Sequence, residues 1–464
     1  MTRCGLPACF LALAAAGCSS VPTIVPDLAR HPGQAVPSVQ LQGARGPLSA
    51  AQSKAVLDSL RSTSPETGIF ERHLAIEEAV AGSPLTTGNQ ALLLQDGPAT
   101  YRAMLAAIAA ERDHIKMETY ILDDDEIGQQ FAQALISKQN QGVQVNLIRD
   151  SAGTFGISAA FFERLAQGGV RVLEFNPVNP LTAGKDWQWN QRDHRKLLIV
   201  DGLTAFLGGI NISSVYSGSS FGKHKQAKVD NPLENLAWRD TDLQLQGPVV
   251  GELQRLFVAT WQAQKGEPLE GARYFPTPRR VGREVVRAIG SSPEEAFSQI
   301  YATLLSAINS AETSIHITNA YFVPDPQLLA ALEAAAMRGV DVVLILPGQT
   351  DSWLVFHAGR AHYERLLRAG VKLYERRGVI LHSKTALIDG VWATVGSTNL
   401  DWRSFLHNYE VNAVVLGAEF GAKVQAMFDK DLIASDAVTL AQWQQRSLGV
   451  RFKESFARLW EYWL

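Results

Sequence analysis

The sequence predicts an α/β fold that is internally duplicated: two lobes, each with a mixed, largely parallel sheet flanked by helices, and an active site between the lobes. Three observations lead there. Short apolar runs rich in Val, Ile and Leu alternate with segments of helical period. The same order of runs returns in both halves of the chain. One group of polar residues also occurs twice, at the same place in that order. The first copy is His194, Lys196, Asp201, Gly208, Gly209 and Asn211, and the second is His382, Lys384, Asp389, Gly396, Ser397 and Asn399.

Taken in order, residues 1–17 hold Arg3 and the apolar run Phe10–Ala16, too short for a membrane helix and laid out like a secretory signal. Gly17-Cys18-Ser19 resembles a bacterial lipoprotein signal, although Ala15 stands where leucine is usual. That resemblance implies cleavage before Cys18, a lipid on it, and the periplasmic face of the outer membrane. The Pro, Gly and Gln of 18–48 read as a linker. Residues 49–261 are expected to form the first lobe, led by helical turns around Val56, Leu57, Leu60, Leu74 and Ile76 that pack against it. Its strands are expected at Ala91–Leu94, Ile115–Ile121, Gly142–Ile148 and Gly169–Phe175 and at the His194 stretch.

Residues 262–298 mix proline, glycine and charge and read as an inter-lobe connector. Residues 299–464 repeat the list, with Ile315–Phe322, Gly339–Ile345, Gly370–Glu375 and the His382 stretch as strands. Tyr120 matches Tyr321, Gly142 matches Gly339, and Gly169 matches Gly370. The tail places Phe452, Phe456, Leu459, Trp460 and Trp463 along one helical stripe, expected to dock on the body rather than lie in a membrane interface. Tyr216, Phe221 and Trp238 read as core or as the wall of an acyl-chain path, and Trp187 and Trp189 read the same way. Lys223–Lys228 reads equally as a solvated loop or as a contact for anionic headgroups.

Composition removes several function classes. All three cysteines lie within the first eighteen residues, which leaves the folded body no disulfide, thiol nucleophile or cysteine zinc site. A formal net charge of -3 argues against a nucleic-acid partner bound by bulk charge. No metal-ligating cluster or dinucleotide fingerprint appears, so no cofactor is expected. Oligomeric state is not legible.

Side chains alternate along a strand, so His194 shares a face with Lys196, and His382 with Lys384. An imidazole beside a fixed cation suits a phosphorylated substrate, and asparagine adds a neutral donor. Two such sets supply one imidazole to attack phosphorus and one to protonate the leaving oxygen. Asp201 and Asp389 have the other parity and are expected to be structural. A carboxylate behind each ring would orient it, with Glu410 and Asp240 as the candidates and Glu118 and Asp123–Asp125 after them.

The doubled pattern His-x-Lys-x4-Asp-x6-Gly-(Gly/Ser)-x-Asn resembles the phospholipase D superfamily. Arg192-Asp193-His194, Gly396-Ser397-Thr398-Asn399-Leu400-Asp401-Trp402-Arg403-Ser404 and Tyr321-Phe322-Val323-Pro324-Asp325 are similar to bacterial cardiolipin synthases within it. The resemblance spans roughly residues 90–464. It implies a metal-free reaction through a phosphohistidine on His194, with His382 as general acid and base. Lys196, Lys384, Asn211 and Asn399 would hold the phosphoryl group. The implied substrate is phosphatidylglycerol, converted to cardiolipin, and the lipoprotein-like front is a departure from those enzymes. Hydrolysis to phosphatidic acid, a nuclease of the same superfamily and a non-catalytic lipid-binding lipoprotein are the alternatives.

Overall fold

A computed structural model describes residues 39–64, 67–179, 188–218, 236–270 and 273–464. Cys18 and the signal, Trp187, Phe221 and the Lys223–Lys228 insert lie outside the described residues.

The two halves share one continuous sheet. In the first half the order is Arg171–Phe175, Gln144–Asp150, His114–Thr119, Lys196–Val200, Thr204–Gly208, Thr241–Gln246 and Leu85–Gln95. Leu85–Gln95 then pairs with Glu284–Ser291, where the second half begins. From there the order is Asn408–Leu416, Trp392–Gly396, Lys384–Ile388, Ser314–Asn319, Asp341–Pro347 and Lys372–Arg376, with Ser435–Val438 at the edge.

Parallel pairing is confined to three strands in each half, and every other pairing in these two runs is antiparallel. The sheet is mixed as expected, but the expectation that it is largely parallel is corrected, because antiparallel pairing predominates. Its cause is local: Asp201 and Asp389 turn each histidine strand back into a tight hairpin, which no apolar pattern reveals. Both aspartates sit at φ 51, a left-handed conformation that aspartate tolerates better than most residues.

The strand Lys196–Val200 is buried on both faces, which is why it reads as a continuous apolar run. Leu198 and Val200 join a core with Tyr101, Met104, Phe131, Leu135 and Phe161 from the helices Gly97–Ala110, Glu126–Asn140 and Ala159–Gln167. Leu197 and Ile199, on the other face, join Phe257 and Trp261 of Val250–Ala263 and Phe420, Val424 and Met427 of Ala418–Ile433. That second core crosses from one half to the other.

Two further corrections concern the periphery. Glu284–Ser291 lies within the segment expected to be a connector, whose charged, glycine-containing composition conceals a strand. The helical turns over 49–82 do not cover the first half. Leu57, Ile69, Phe70, Leu74 and Val80 instead pack with Tyr301, Leu304 and Ile308 of the helix Gln299–Ser310 in the second half. The reason is the central position of Leu85–Gln95: a segment entering it lies equally close to either half. Within that contact His73 Nδ1 lies 3.0 Å from Ser306, and Arg287 Nε lies 2.9 Å from buried Glu77.

Candidate active site

Two pairs of very short strands bring the halves together beside the two motif histidines. Arg192–Asp193 runs parallel to Asn408–Tyr409, and the His194 amide donates to the Tyr409 carbonyl at 3.0 Å. Trp238–Arg239 runs parallel to Ile380–Leu381, and the His382 amide donates to the Arg239 carbonyl at 2.7 Å. Because these partners advance in step, residue 194 comes to lie beside 410, and residue 382 beside 240. His194 Nδ1 is 3.1 Å from Glu410 Oε1, and His382 Nδ1 is 2.7 Å from Asp240 Oδ2. Each imidazole is thus backed by a carboxylate from the opposite half.

A neutral imidazole that donates its Nδ1 proton to a carboxylate keeps the lone pair on Nε2, the nitrogen free to meet phosphorus or a proton. The glycine pair of the first motif makes room for the acid of its own half. A β-carbon at Gly209 would collide with the Asp240 carboxylate. In the second copy Ser397 takes the equivalent place, and its hydroxyl donates to Glu410 Oε2. Asn408 Nδ2 also approaches Glu410, at 3.4 Å.

Lys196 Nζ donates to the His194 carbonyl at 2.6 Å and lies 5.1 Å from the Tyr120 ring. Lys384 Nζ donates to the His382 carbonyl and stands 3.0 Å from His382 Nδ1. Asn211 Nδ2 donates to the Tyr216 hydroxyl at 3.1 Å, and that hydroxyl lies 3.3 Å from His382 Nδ1. The Oδ1 atom of Asn399 is buried with no hydrogen-bond partner among the described residues, while its backbone amide donates to Ser404 Oγ at 3.2 Å. All four rings and cations of the two motifs are at most 8% exposed.

Burial, followed by the neighbouring Lys196, pulls the His194 imidazole down to about 4 against the attraction of Glu410. Burial likewise holds His382 well below its usual range, helped by Lys384, Lys196 and His194. The influence of each motif's cation on the other motif's ring places both sets in one electrostatic neighbourhood. Burial brings Lys196 down to about 7 and Lys384 to about 8, and pushes the Asp240 carboxyl up to about 6. Such a pocket of desolvated cations gains most when an anion enters it.

Asp201 and Asp389 lie away from the rings, at the hairpin turns. Asp201 accepts from the amides of Asp113 at 2.8 Å and His114 at 2.9 Å; Asp389 accepts from Thr313 at 2.8 Å and Ser314 at 3.0 Å. Glu118 faces Arg195 at 3.6 Å, and Asp125 caps the helix Glu126–Asn140, so neither backs a histidine. Aromatic rings the motif does not name complete the surroundings: Tyr120 lies 5.1 Å from His194, and Trp238, Tyr216 and Tyr321 lie 5.1, 5.8 and 6.0 Å from His382. The matched positions of Tyr120 and Tyr321 in the repeat were the available signal for two of them. Among the described residues no cluster of His, Cys, Asp and Glu could hold a metal ion.

Comparison with known proteins places this geometry. The family model for the cardiolipin synthase, PLD-like domain matches residues 104–219 and 304–432, once in each half. A cardiolipin synthase of Geobacillus kaustophilus is 36% identical over 389 residues, covering 83% of this chain and 74% of the relative. Cardiolipin synthase 2 of Bacillus anthracis is 36% identical over 369 residues, 79% of this chain and 69% of the relative. The crystal structure of phosphatidylserine synthase from Haemophilus influenzae shares the fold, with a TM-score of 0.60, 13% identity, and coverage of 84% of this chain and 99% of that one. With both motif copies complete and both halves matched, the chain belongs to the phospholipase D-like family of cardiolipin synthases.

Proposed function

We propose that this protein is a phosphatidyltransferase that makes cardiolipin from two molecules of phosphatidylglycerol, in a site between the halves. The observation that carries this reading is the crossed pairing of two buried imidazoles with two carboxylates, with Lys196 bonded to the His194 carbonyl and Lys384 beside the His382 ring. Similarity to cardiolipin synthases along most of the chain supports the same reaction.

His194 Nε2 attacks phosphorus, the bond from phosphorus to the glycerol headgroup oxygen breaks, and His382 delivers a proton to that oxygen. Asp240 and His382 hold this proton between them once the anionic substrate offsets the two lysines. Glycerol departs and leaves a phosphatidyl group on His194. The free hydroxyl of a second phosphatidylglycerol then attacks phosphorus, His382 takes its proton, and His194 is released. Lys196, Lys384, Asn211 and Asn399 bind the non-bridging oxygens and stabilise the charge that builds on them. Asp201 and Asp389 hold the motif strands in place.

The linker expected over 18–48 is corrected at its end, because Leu41–Gly43 pairs with Leu85–Gln95 and Leu41 is buried in the core. A lipid on Cys18 would tether this body, through the residues before Leu41, to the periplasmic face of the outer membrane. Among the described residues no helix is long and apolar enough to cross a membrane. The test is incubation of the purified protein with phosphatidylglycerol and identification of the products. Glycerol and cardiolipin in equal amounts are expected, with neither formed by His194→Ala. Phosphatidic acid as the sole lipid product would replace transfer by hydrolysis. No turnover of lipid in either form would remove the reading, and an intact mass that retains residues 1–17 without a lipid would remove the anchor.

A further inference from the structure

The C-terminal helix Leu448–Arg458 meets the body through the wrong residues for its composition. Its buried positions are Glu454, bound by Arg446 Nε at 2.9 Å, and Ala457; it lies along the helix Trp353–Arg360. The apolar stripe faces away. Phe452 is 73% exposed, Leu459 77% and Trp463 61%, with Leu448, Phe456 and Trp460 exposed beside them. The expectation that this stripe docks on the body is therefore corrected: the helix docks by its opposite side. Burying these side chains against protein was the only way to keep them from water within the chain, and it is not used.

Two features of this face point to one occupant. The first is charge. Arg451, Lys453 and Arg458 are exposed around the stripe. Of the two acids of the segment, Glu454 is engaged with Arg446, and Glu461 is shared between His362 Nε2 at 3.1 Å and Arg458 Nε at 3.5 Å, so the cations of this face outnumber its acids. An apolar ridge of Phe, Leu and Trp fringed by cations is complementary to a surface of anionic headgroups over acyl chains.

The second feature is its position. The Leu464 carbonyl accepts from the Arg403 amide at 2.8 Å, and the Arg403 guanidinium donates to Asn190 Oδ1 at 3.0 Å, four residues before His194. Trp189, next to Asn190, is itself 66% exposed. On the other side, exposed Trp353 follows Asp351, whose carboxylate accepts from the Tyr321 hydroxyl at 2.8 Å beside His382. Phe155 stands exposed in the matching loop of the first half. Exposed aromatics thus flank the residues that lead to each imidazole, Trp189 five positions before His194 and Trp353 two positions after Asp351.

We propose that the face made by Leu448, Phe452, Phe456, Leu459, Trp460 and Trp463 seats the protein on an anionic phospholipid bilayer, bringing the mouth of the site to the lipid surface. This rests on the reading of a phospholipid as substrate, but its binding can be measured without turnover. The full-length protein is placed on vesicles of phosphatidylglycerol or phosphatidylcholine brominated near the glycerol end of the acyl chains, and quenching of tryptophan emission is recorded. The chain has ten tryptophans, so the share of quenching lost in the double variant W460F/W463F reports the depth of these two rings, which an anchor elsewhere does not supply.

Strong quenching by the phosphatidylglycerol vesicles is expected. In the triple variant F452S/F456S/L459S it should weaken, and turnover of bilayer substrate should fall about tenfold, with turnover of monomeric short-chain phosphatidylglycerol changed less than about twofold. Unchanged quenching and bilayer turnover in that variant would overturn the proposal. So would a dimer, seen by sedimentation velocity, that the variant dissolves while both lipid readouts persist, since the face would then belong to a second copy. Quenching without release of glycerol would count against the transfer reaction and support the bilayer seat.

Discussion

Lys196 is predicted to cost stability in proportion to its use, and Lys196→Met (K196M) isolates that cost. Its ammonium, 2% exposed, titrates at about 7 instead of near 10.5 because burial disfavours the charge. At neutral pH this difference corresponds to roughly 4 kcal/mol of destabilisation relative to the unfolded chain. That figure is already net of the attraction to Glu410; removing the charge also gives up the charged hydrogen bond to the His194 carbonyl, which offsets about 2 kcal/mol. Methionine fills a similar volume, so the variant should be more stable at pH 7 by about 2 kcal/mol. Its turnover should fall by about a thousandfold through loss of a phosphoryl-binding cation.

The sign can be checked by pH. The folded chain releases this proton above about 7, while the unfolded chain holds it up to about 10.5. The penalty is therefore full below pH 7 and fades as pH rises towards 10.5. Denaturant titrations of wild type and variant at pH 6.5 and pH 9.5 should show the variant's advantage shrinking with pH. A variant less stable than wild type at the lower pH, or an advantage that grows with pH, would refute the account of Lys196 as a desolvated, unfavourable charge held for binding.

Other outcomes follow from the same geometry. In kcat/KM against pH, the alkaline limb should begin between 7 and 8, where Lys196 and Lys384 lose the protons that hold the anion, and the acid limb should lie near 4, where His194 gains one. Glu410→Gln and Asp240→Asn should each lower kcat by about a thousandfold with little change in KM, since each leaves a ring without its ion partner; steady-state kinetics on vesicles reads this. Asp389→Asn should cost about 2 kcal/mol in urea unfolding through weakened amide contacts, while turnover per folded molecule stays near wild type. Replacing buried Arg239, which bonds Asp431 at 2.8 Å, by leucine should destabilise by about 3–5 kcal/mol, measured the same way.

The duplicated strand order and the shared face of each His-x-Lys pair were legible because both rest on short-range periodicity. Parity separated Asp201 and Asp389 from the lysines, but both lie past the strand ends in left-handed turns, which periodicity does not encode. What was not legible depends on long-range pairing. Glu410 and Asp240 could be named as acids behind the rings, but the crossing, with Glu410 on His194 and Asp240 on His382, is set by the short strands at 192–193 and 238–239. No local pattern encodes that register. The strand Glu284–Ser291 was hidden by Glu284, Arg287 and Gly290, acceptable there because Arg287 finds Glu77 and Glu78 across the interface. The stripe of the last helix was visible, yet its direction was not, because periodicity says which residues align and not which way they point. Tyr216 beside His382 carried no signal beyond being aromatic.

The exchange of carboxylates between the halves has a consequence for how such a molecule fails. Either half expressed by itself would present an imidazole with no acid at its back, so activity cannot be rescued by trimming the protein to its better-preserved repeat. A substitution at the seam between Leu85–Gln95 and Glu284–Ser291 that shifts one half by a single ångström misaims both rings at once. Damage far from phosphorus therefore registers as a loss of chemistry, and a deleterious change in one repeat is most readily compensated by a second change in the other.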